Sequence, residues 1–550
     1  MRYDRERLRR LSQQRLGYDR LRPGQEAAIQ ALIEGHDTLA VMPTGSGKSA
    51  IYQLAGMQLA GPVIIISPLI ALQRDQVETI EQQRIGEAAL VNSTLTAADR
   101  EATLEDLANR ELKFIFLAPE QFTDDEMLAR LRTAHPALFV VDEAHCISEW
   151  GHDFRPAYLR LAAVVAAVGR PRILALTATA SPPVREEIVE RLGMRDPRIV
   201  VRGFDRPNIW LGVQTYHEES TKRRALVERV REAESPGIIY TATRRHAEEV
   251  AAALREPGIE AAHYHAGMKA DERARVQDSF MEDRIAVIVA TTAFGMGVDK
   301  PNVRFVYHYD ISDSVDAYYQ EIGRAGRDGE PAEAVLFYRS EDLNLRRFFA
   351  GSGQVSTDEV TQVAEAVREH GEPVDPRTLA QETNLSQSKL TAAVSRLQDV
   401  GAVEVLPDGQ VAPTERIEAP EELSEAAEEA ADAQARFHQY QRSRIEMMRG
   451  YAEVRDCRRE YLLNYFGEEL DDPCGACDNC GAGVTVAEDE ADEPFPINSR
   501  VTHRAWGDGM VLRYEGDKMI VLFDSVGYKT LAVELATRND LLVPADDAGA

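Results

Sequence analysis

Residues 37–49 read DTLAVMPTGSGKS, a strand-like apolar run followed by a glycine-rich turn and the start of a helix-like pattern. This order is typical of a phosphate-binding loop, in which backbone N–H groups approach the phosphates of a nucleotide. Lys48 can reach the β and γ oxygens, and Ser49 can place its hydroxyl on Mg²⁺. Met42 replaces the first glycine of the general pattern, but the residues that supply the amides remain: Thr44, Gly45, Ser46 and Gly47. The stretch predicts a nucleotide site, with an ordinary turn as the alternative.

The alternation of apolar runs and helical patterns extends through residues 1–202. It predicts βαβ units and a parallel sheet, with strand-like runs DTLAVM, PVIIIS, FIFLAP, LFVVDE and RILALT. The segment GFDRPNIWL (203–211) ends this unit. Residues 203–349 then repeat the alternation with PGIIYTA, IEAAHYHA, IAVIVATT and VRFVYHYD. Two similar α/β lobes are therefore expected.

A pair of carboxylates follows the strand-like run LFVV. Asp142 and Glu143 begin the tetrad DEAH and fall at the carboxyl edge of the predicted sheet, where ligands bind in open α/β folds. Asp142 suits Mg²⁺, and Glu143 suits a base that polarises water. Two adjacent acids after a strand are by themselves an ordinary turn, but downstream of a phosphate loop they predict a hydrolytic centre.

Two arginines of the second lobe, Arg324 and Arg327, would be one turn apart if their segment is helical. Their guanidinium groups can stabilise charge on a transferring γ-phosphoryl group. On this segment alone, surface salt bridges explain them equally well. If they act on the nucleotide, it binds between the two lobes, and hydrolysis can open and close a cleft.

Several segments resemble, in order and spacing, the motifs of superfamily 2 helicases: MPTGSGKS (42–49), ISPLIALQRDQ (66–76), DEAH (142–145), LTATA (176–180), ATTAFGMGVDKPNVRFVYHYD (290–310) and QEIGRAGRDG (320–329). LGYDRLRPGQEAAI (16–29) is similar to the adenine-recognition motif of the RecQ family, which implies that Tyr18 stacks on the base and that Arg22 and Gln25 contact it. CISEWGHDFRPAY (146–158) is similar to the aromatic-rich loop of that family. The resemblance covers residues 1–349 and 436–482 and implies an α/β fold with two tandem RecA-like motor domains, 1–202 and 203–349.

The aromatic-rich loop follows the DEAH tetrad directly, so base-stacking groups would lie beside the hydrolytic centre. Trp150, Phe154 and Tyr158 are spaced four apart. We interpret four residues as coupling DNA binding to hydrolysis: Trp150, His152, Phe154 and Arg155. A small aromatic core cluster is the alternative, and Cys146 is most simply a small buried hydrophobe.

Four of the five cysteines form a set with two CxxC steps: Cys457, Cys474, Cys477 and Cys480. Four thiolates make a closed tetrahedral site, which predicts one structural Zn²⁺. Unrelated thiols or a redox CxxC pair are the alternatives. The segment 457–480 also resembles the RecQ zinc-binding subdomain, which here would span residues 415–482. Residues 442–459 hold six arginines, and we interpret this helix as a phosphate-contacting surface.

Residues 356–414 read helix, helix, helix, hairpin, which is a winged-helix pattern with SQSKLTAAVSRLQ (386–398) as its recognition helix. RecQ proteins typically place their winged helix after the zinc site, so the strand-separating element is not indicated. Lys389 and Arg396 provide little basic charge. Duplex binding and a packing or protein-binding role are therefore equally open.

Residues 483–494 read as an acidic linker, which we expect to hold the last segment away from the motor without a fixed packing surface. That segment, residues 495–543, resembles the Tudor-type small β-barrels at the ends of some bacterial helicases. Such barrels bind partner proteins or nucleic acid. We favour a protein partner and a separately folded recruitment module.

The formal net charge of −29 argues at first against a nucleic-acid partner. Two short runs reduce the force of this argument: residues 415–432 hold eight acidic and one basic group, and residues 487–493 hold five acidic groups. The apolar stretches are shorter than the ~18 residues of a membrane span. The N-terminus lacks the apolar core of a secretory signal. We therefore expect a cytoplasmic, nucleoid-associated protein without a membrane partner.

The motifs together predict an ATP-dependent DNA helicase that uses ATP, Mg²⁺ and one Zn²⁺ and acts on single-stranded and duplex DNA. The resemblance implies 3′→5′ movement along one strand, in recombination, repair or replication-fork maintenance. Two alternatives remain. One is an RNA-directed helicase, and the other is a binding or annealing protein whose ATPase only switches affinity.

Overall fold

The computed structural model describes residues 3–22, 24–68, 70–91, 95–122, 125–148, 155–292, 294, 300–350, 355–406, 408–417, 419–468, 470, 472–483, 494–497, 499–538 and 541–545. The chain forms two compact units. Residues 1–42, 46–203 and 351–438 belong to the first, and residues 43–45, 204–350 and 439–550 belong to the second. Across the described ranges, no helix combines the length and the apolar character needed to cross a bilayer.

The first unit contains a seven-stranded parallel sheet in the order β3-β4-β2-β5-β6-β1-β7. Its strands are β1 (Thr38–Val41), β2 (Val63–Ile66), β3 (Ala88–Val91), β4 (Phe114–Leu117), β5 (Leu138–Val141), β6 (Arg172–Thr177) and β7 (Arg198–Val201). Strands β1, β2, β4 and β5 are buried at every position, which explains why their sequences are continuous apolar runs. The predicted parallel sheet is confirmed, with β3 and β7 as additional strands.

The helices of this α/β domain are α1 (Arg5–Leu11), α2 (Gln25–Glu34), α3 (Ser49–Gly56), α4 (Ile70–Gln82), α5 (Ala97–Ala108), α6 (Asp125–Thr133), α7 (Leu161–Ala167) and α8 (Pro182–Arg191). A π-helical turn, Ser12–Leu16, follows α1. The apolar side chains of α2 and α3 pack with the strands in one core. This packing fixes the positions of Gln25 and Ser49, which are the first residues of α2 and α3.

The second unit contains a six-stranded parallel sheet in the order β10-β11-β9-β12-β13-β8. Its strands are β8 (Ile209–Thr215), β9 (Gly237–Tyr240), β10 (Ala261–Tyr264), β11 (Val287–Ala290), β12 (Phe305–His308) and β13 (Ala332–Tyr338). Its helices are α9 (Glu219–Glu232), α10 (Arg244–Arg255), α11 (Ala270–Met281), α12 (Val315–Ile322) and α13 (Asp342–Ala350). The expected second α/β lobe is therefore present.

The first unit also has the helix, helix, helix, hairpin order of a winged helix: α14 (Thr357–His370), α15 (Pro376–Thr383), α16 (Gln387–Asp399), β14 (Val403–Val405) and β15 (Val411–Pro413). Val374 pairs with Val411, which adds a third backbone partner to the hairpin. Leu423 and Ala427 of the long helix α17 (Pro420–Glu453) are buried in the same core. The acidic run that begins at residue 415 is therefore in part a helix with one apolar face.

Two further parts belong to the second unit. Helices α18 (Arg458–Tyr465) and α19 (Asp478–Gly481) follow α17 and form a helical subdomain around the four cysteines. The C-terminal module, residues 495–543, contains a five-stranded antiparallel sheet in the order β19-β18-β17-β16-β20. Its elements are β16 (Arg500–His503), β17 (Gly507–Glu515), β18 (Lys518–Phe523), β19 (Gly527–Ala532), α20 (Val533–Arg538) and β20 (Leu542–Pro544).

The C-terminal module packs against the helical subdomain, so the expectation that it lacks a fixed packing surface is wrong. Tyr528 is buried, and its ring stacks on Tyr465 and Tyr440 at centroid distances of 5.6 and 5.8 Å. The Arg513 guanidinium lies 3.9 Å from the ring centroid of Tyr461. The acidic composition of residues 483–494 could not predict this packing. The contacts are made by aromatic residues outside the linker, such as Tyr440, Tyr465 and Tyr528.

Candidate functional site

The phosphate loop connects β1 to α3. Gly45 and Gly47 have φ angles of +78° and +74°, a left-handed conformation that residues with a Cβ adopt at a cost. Lys48 Nζ donates to the carbonyl oxygen of Met42 at 3.0 Å, which places the ammonium group across the loop. Helix α3 begins at Ser49, so the N-terminal end of a helix dipole also faces this loop.

Gln25, the first residue of α2, is fully buried and contacts the phosphate loop. Its Nε2 donates to the carbonyl oxygens of Ser46 and Gly47, both at 2.9 Å. Its Oε1 accepts from the backbone N–H of Arg22 at 2.8 Å. One side chain therefore joins the adenine-recognition segment to the phosphate loop, a contact that the sequence motif alone did not predict.

Tyr18 lies at the other end of the adenine-recognition segment and is 39% exposed. Its backbone N–H donates to the carbonyl oxygen of Ser12 at 3.3 Å, directly after Gly17, which has a φ of +70°. The ring is thus presented at the surface by a fixed backbone turn. An exposed aromatic face is what stacking on a nucleotide base requires.

Asp142 and Glu143 directly follow β5. Asp142 donates its N–H to the carbonyl oxygen of Ile66 at 2.8 Å, and its Oδ1 accepts from the N–H of Glu143 at 3.0 Å. Glu143 has a φ of +49°, an unusual conformation for a residue with a side chain. Such local strain persists where the surrounding structure enforces it, and it clusters at functional sites. The two carboxylates are therefore held at the sheet edge by the turn itself.

Burial, and then the neighbouring Glu143 carboxylate, raise the pKa of Asp142 to about 7. The Lys48 ammonium and the N–H of Glu143 act in the opposite direction. Lys48 and Asp142 thus interact electrostatically at one site. Ser49 and Asp142 offer the oxygen ligands that Mg²⁺ prefers, so these residues fit that ion. A divalent cation held by Ser49 and Asp142 would favour the ionised carboxylate and would offset negative charge on a phosphate group.

His145 connects the DEAH turn to the segment LTATA. It is fully buried, and its Nδ1 lies 2.9 Å from Thr177 Oγ1 and 3.4 Å from Glu143 Oε2. Thr177 Oγ1 in turn donates to the carbonyl oxygen of Thr179 at 2.9 Å. Hydrogen bonds therefore lead from His145 through Thr177 to the loop after β6, and the Glu143 carboxylate lies beside His145 at ion-pair distance.

Of the aromatic-rich loop, Trp150, His152 and Phe154 lie outside the described residues. Arg155 lies within them, and its Nη1 donates to the carbonyl oxygen of Pro68 at 3.3 Å. Tyr158 is fully buried, and its hydroxyl donates to the carbonyl oxygen of Asp142 at 3.0 Å. Tyr158 thus ties the end of the loop to the DEAH turn. Cys146 is fully buried, as predicted.

Arg324 and Arg327 are not one helical turn apart, because α12 ends at Ile322 and both arginines lie in turns. Gly326, with a φ of +54°, bends the chain between them. Arg206 donates to the carbonyl oxygens of the turn: to Gly323 from Nη1 at 3.3 Å, and to Ala325 and Gly326 from Nη2 at 2.9 and 3.0 Å. The helicase motifs did not predict this clamp, although the polar DRPN stretch (205–208) was its signal in the sequence.

The four predicted zinc ligands come together, with the sulfurs of Cys457, Cys474, Cys477 and Cys480 within 4.8 Å of one another. Backbone N–H groups donate to them: Cys474 N to Cys457 Sγ at 3.4 Å, Ala476 N to Cys474 Sγ at 3.3 Å, and Cys480 N to Cys477 Sγ at 3.4 Å. These N–H donors stabilise negative charge on the sulfurs. The thiolate is the form that binds metal, so the cluster fits Zn²⁺.

The segment that holds the four cysteines is attached to the second α/β domain. Leu211 in the edge strand β8 pairs with Cys477, and its N–H donates to the carbonyl oxygen of Ala476 at 3.2 Å. Tyr465 of α18 donates its hydroxyl to Asp316 of α12 at 2.5 Å. The subdomain thereby braces the helix that leads to Arg324.

The predicted phosphate-contacting surface of residues 442–459 is largely wrong, because three of its six arginines are buried. Each faces an aspartate of the same unit: Arg444 Nη2 is 3.6 Å from Asp316 Oδ2, Arg459 Nη1 is 2.9 Å from Asp205 Oδ1, and Arg458 hydrogen-bonds to Asp478. Arg449 pairs with Glu446 and Glu453. Only Arg442 and Arg455 are exposed.

Three family models match the chain. They are the DEAD/DEAH box helicase domain over residues 22–188, the helicase conserved C-terminal domain over 221–329, and the RecQ zinc-binding domain over 417–481. Among solved structures, the helicase MrfA bound to DNA has 16% identity and a TM-score of 0.52, covering 76% of this chain and 64% of its own. Mss116p bound to single-stranded RNA and AMP-PNP has 15% identity and a TM-score of 0.51, covering 72% and 88%. These two structures show the shared fold.

Two curated relatives are more informative. The chain is 34% identical over 492 residues to the probable ATP-dependent DNA helicase RecS of Bacillus subtilis, covering 88% of this chain and 94% of RecS. It is 35% identical over 466 residues to the ATP-dependent DNA helicase RecQ of Haemophilus influenzae, covering 84% of this chain and 62% of that longer protein. With these relatives and the zinc-binding domain match, the chain belongs to the RecQ family of ATP-dependent DNA helicases.

Proposed function

We propose that this protein hydrolyses ATP to separate the strands of duplex DNA while moving 3′→5′ along one strand. The observation that carries the proposal is Gln25, which joins the adenine-recognition segment to the phosphate loop in the same unit as the DEAH turn. The two segments are thus linked directly by hydrogen bonds of one side chain. Family membership supports the DNA substrate and the direction of movement. Opening each base-pair step costs about 1.4 kcal/mol on average, which ATP hydrolysis can supply.

The side chains have the following proposed roles. Tyr18 stacks on adenine, and Arg22 and Gln25 contact it. The amides of Thr44, Gly45, Ser46 and Gly47 hold the phosphates with Lys48, while Ser49 and Asp142 hold Mg²⁺ and Glu143 polarises the attacking water. The transition state is stabilised by Arg324 and Arg327, and hydrolysis is coupled to DNA by Trp150, His152, Phe154 and Arg155.

We propose that the C-terminal module binds a partner protein rather than nucleic acid. Residues 495–543 hold six basic and six acidic side chains, so they offer little positive potential to phosphates. Trp506 is half-buried and stacks on His503 at a centroid distance of 4.2 Å. Its partly exposed ring is a suitable anchor for a protein partner. We place the protein in the cytoplasm, associated with the nucleoid through its DNA substrate.

Strand separation on tailed duplexes tests this function. The full-length chain should unwind a DNA duplex with a 3′ tail, but not one with a 5′ tail, and only with hydrolysable ATP. Glu143→Gln should bind ATP and lose unwinding, whereas Glu190→Gln, at an exposed position of the same unit, should behave as wild type.

Each other result identifies a different alternative. Preferential unwinding of an RNA duplex that carries the same 3′ tail would indicate an RNA-directed helicase. Strand exchange or annealing that persists with a non-hydrolysable nucleotide would indicate an affinity switch. Equal unwinding of 3′-tailed and 5′-tailed DNA would refute the proposed direction.

A further inference from the structure

The second α/β domain contains a cluster of metal-ligating side chains outside the four cysteines. His263 lies in β10, His265 follows that strand directly, and Glu248 lies on α10. One ligand atom from each of these residues lies within 4.8 Å of the others. Residues at positions i and i+2 of an extended segment point to the same face, so the HxH pair presents two imidazoles together. Their rings are nearly parallel, with 13° between planes and 5.3 Å between centroids.

Glu248 and His265 already have nearly the separation that a metal ion requires. His265 Nε2 lies 3.0 Å from Glu248 Oε1. In a tetrahedral site with bonds of about 2.0–2.1 Å, neighbouring ligand atoms are about 3.3 Å apart. An ion between these two atoms therefore needs only a small outward shift. The third ligand, His263, approaches by rotation of a half-buried side chain.

His265 pairs with Glu248 through Nε2, whereas its Nδ1 has no hydrogen bond within the described residues. Its side chain is 7% exposed, and its Nδ1 is buried without a hydrogen bond in the described part of the chain. If the proton is on Nε2 and donates to Glu248, Nδ1 is a buried lone pair without a donor. If the proton is on Nδ1, it is a buried donor without an acceptor. Either neutral tautomer therefore leaves Nδ1 without a hydrogen bond in the described part of the chain.

We propose that Glu248, His263 and His265 form a second metal site, which takes a divalent transition-metal ion of the Zn²⁺ type. Two imidazoles and one carboxylate suit such ions, whereas Mg²⁺ and Ca²⁺ prefer sites made of oxygen. Three protein ligands leave one position for water. The Glu248 side chain is 56% exposed, so the ion exchanges with solvent, unlike one enclosed by four thiolates. A bound ion links the edge strand β10 to α10.

Titration of the full-length protein with Co²⁺ tests the site after its Cys₄ centre has been loaded with Zn²⁺ and free metal has been removed. One equivalent of Co²⁺ should bind, with visible d–d absorption and without the thiolate-to-metal bands of a cysteine site. Added metal should also raise the unfolding temperature. His263→Ala and Glu248→Gln should each weaken Co²⁺ binding by about tenfold or more and retain the tightly bound zinc.

Glu249→Gln is the matched control, because Glu249 is the next residue on α10 and pairs with Arg245 at the surface. It should bind Co²⁺ like wild type. Absence of a Co²⁺ equivalent in the wild-type protein would overturn the proposal. Equal binding by wild type and His263→Ala would also overturn it, since the ion would then lie elsewhere.

Discussion

At the scale of single residues, the buried side-chain amide of Gln25 holds the phosphate loop of the first motor domain in place. Gln25 Nε2 hydrogen-bonds to two carbonyl oxygens of the phosphate loop, and its Oε1 fixes the backbone of Arg22. Addition of a Cβ to Gly47 would bring it within 2.9 Å of this amide. The same side chain therefore fixes both the shape of the phosphate loop and the position of the adenine-recognition segment. A shift of one segment will displace the other.

Gln25→Glu should raise the KM for ATP by about tenfold or more, because a carboxylate cannot donate to the carbonyl oxygens of Ser46 and Gly47. Loss of hydrogen bonds at a buried site costs about 1–3 kcal/mol. Steady-state ATPase kinetics and direct nucleotide binding measure the effect. Gln30→Ala, on the same helix but bonded to Glu34 at the surface, is the control and should leave the KM unchanged. An unchanged KM in Gln25→Glu would show that the loop keeps its shape without the amide.

A half-buried histidine, His246, predicts a pH dependence in the second α/β domain. His246 Nδ1 lies 2.8 Å from Asp310 Oδ2, and this hydrogen bond raises the pKa of His246. Glu219 acts in the same direction, whereas burial and Lys222 oppose it. Because the folded pKa exceeds the unfolded one, near 6.5, this interaction stabilises the fold fully below pH 6.5. The stabilisation is lost as the pH rises through the folded pKa.

We therefore expect His246→Gln to lower the unfolding temperature more at pH 6 than at pH 8. Glutamine can still donate to Asp310 but carries no charge at either pH, so the difference isolates the titration. His217→Gln, at an exposed position of the same unit, should give a similar shift at both values. A loss from His246→Gln that is the same at pH 6 and pH 8 would contradict the prediction.

The sequence motifs were sufficient to predict that the four cysteines come together and to single out Gln25 as a site residue. Their partners across the fold were not predictable. Arg444 and Arg459 form a basic helix in the sequence, but Asp316 and Asp205, which face them, come from segments more than a hundred residues earlier. Local charge counting cannot detect such pairing, because folding brings the charges together.

At the scale of elements, most strands that the sequence predicted in the two parallel sheets are buried along their length, and β10, which has two half-buried positions, is an exception. The strand β3 was missed because EAALV contains alanines, which favour a helix more than a strand. The strand β8 was missed because Gly212 interrupts it. A Cβ at Gly212 would lie 2.5 Å from the ring of Trp210, so glycine is required by a side chain that folds back over the strand.

For the winged helix, the contacts of α16 bear on whether this helix binds duplex DNA or packs within the protein. The Arg396 side chain is buried, with Nε donating to Gln434 Oε1 at 2.9 Å and Nη1 to Asp399 Oδ2 at 2.8 Å. Lys389 Nζ pairs with Glu359 Oε1 at 2.6 Å. Both basic residues of the expected recognition helix α16 are thus engaged within the first unit. These contacts favour a packing role for α16.

Arg396→Met should therefore destabilise the protein, while Lys389→Ala should leave its affinity for duplex DNA within about twofold of wild type. Removal of one partner from a buried ion pair costs about 3–5 kcal/mol, whereas an exposed pair contributes about 1 kcal/mol or less. Thermal unfolding measures the first effect, and fluorescence anisotropy across a salt series measures the second. A large loss of duplex affinity in Lys389→Ala, with a shallower salt dependence, would identify α16 as a DNA-recognition helix.

At the scale of the whole molecule, the C-terminal module is part of the second unit. Tyr465 contacts the module through Tyr528 and contacts α12 through its bond to Asp316. The module, the helical subdomain and the helix that leads to Arg324 thus form one continuous set of contacts. Removal of the module would expose aromatic surface on α17 and α18, so a chain that ends near residue 486 should be less stable than the full chain.

Tyr528→Ala tests whether the module braces this unit. Deletion of a buried aromatic side chain costs about 3–5 kcal/mol, so the variant should unfold at a temperature several degrees lower. Because Tyr465 loses a neighbour, DNA-stimulated ATP turnover should also fall. Leu535→Ala, at a position that is 60% exposed on the same module, should change neither property. If Tyr528→Ala has wild-type stability and turnover, the contact between Tyr528 and Tyr465 does not brace the motor. The module would then act only as a recruitment element.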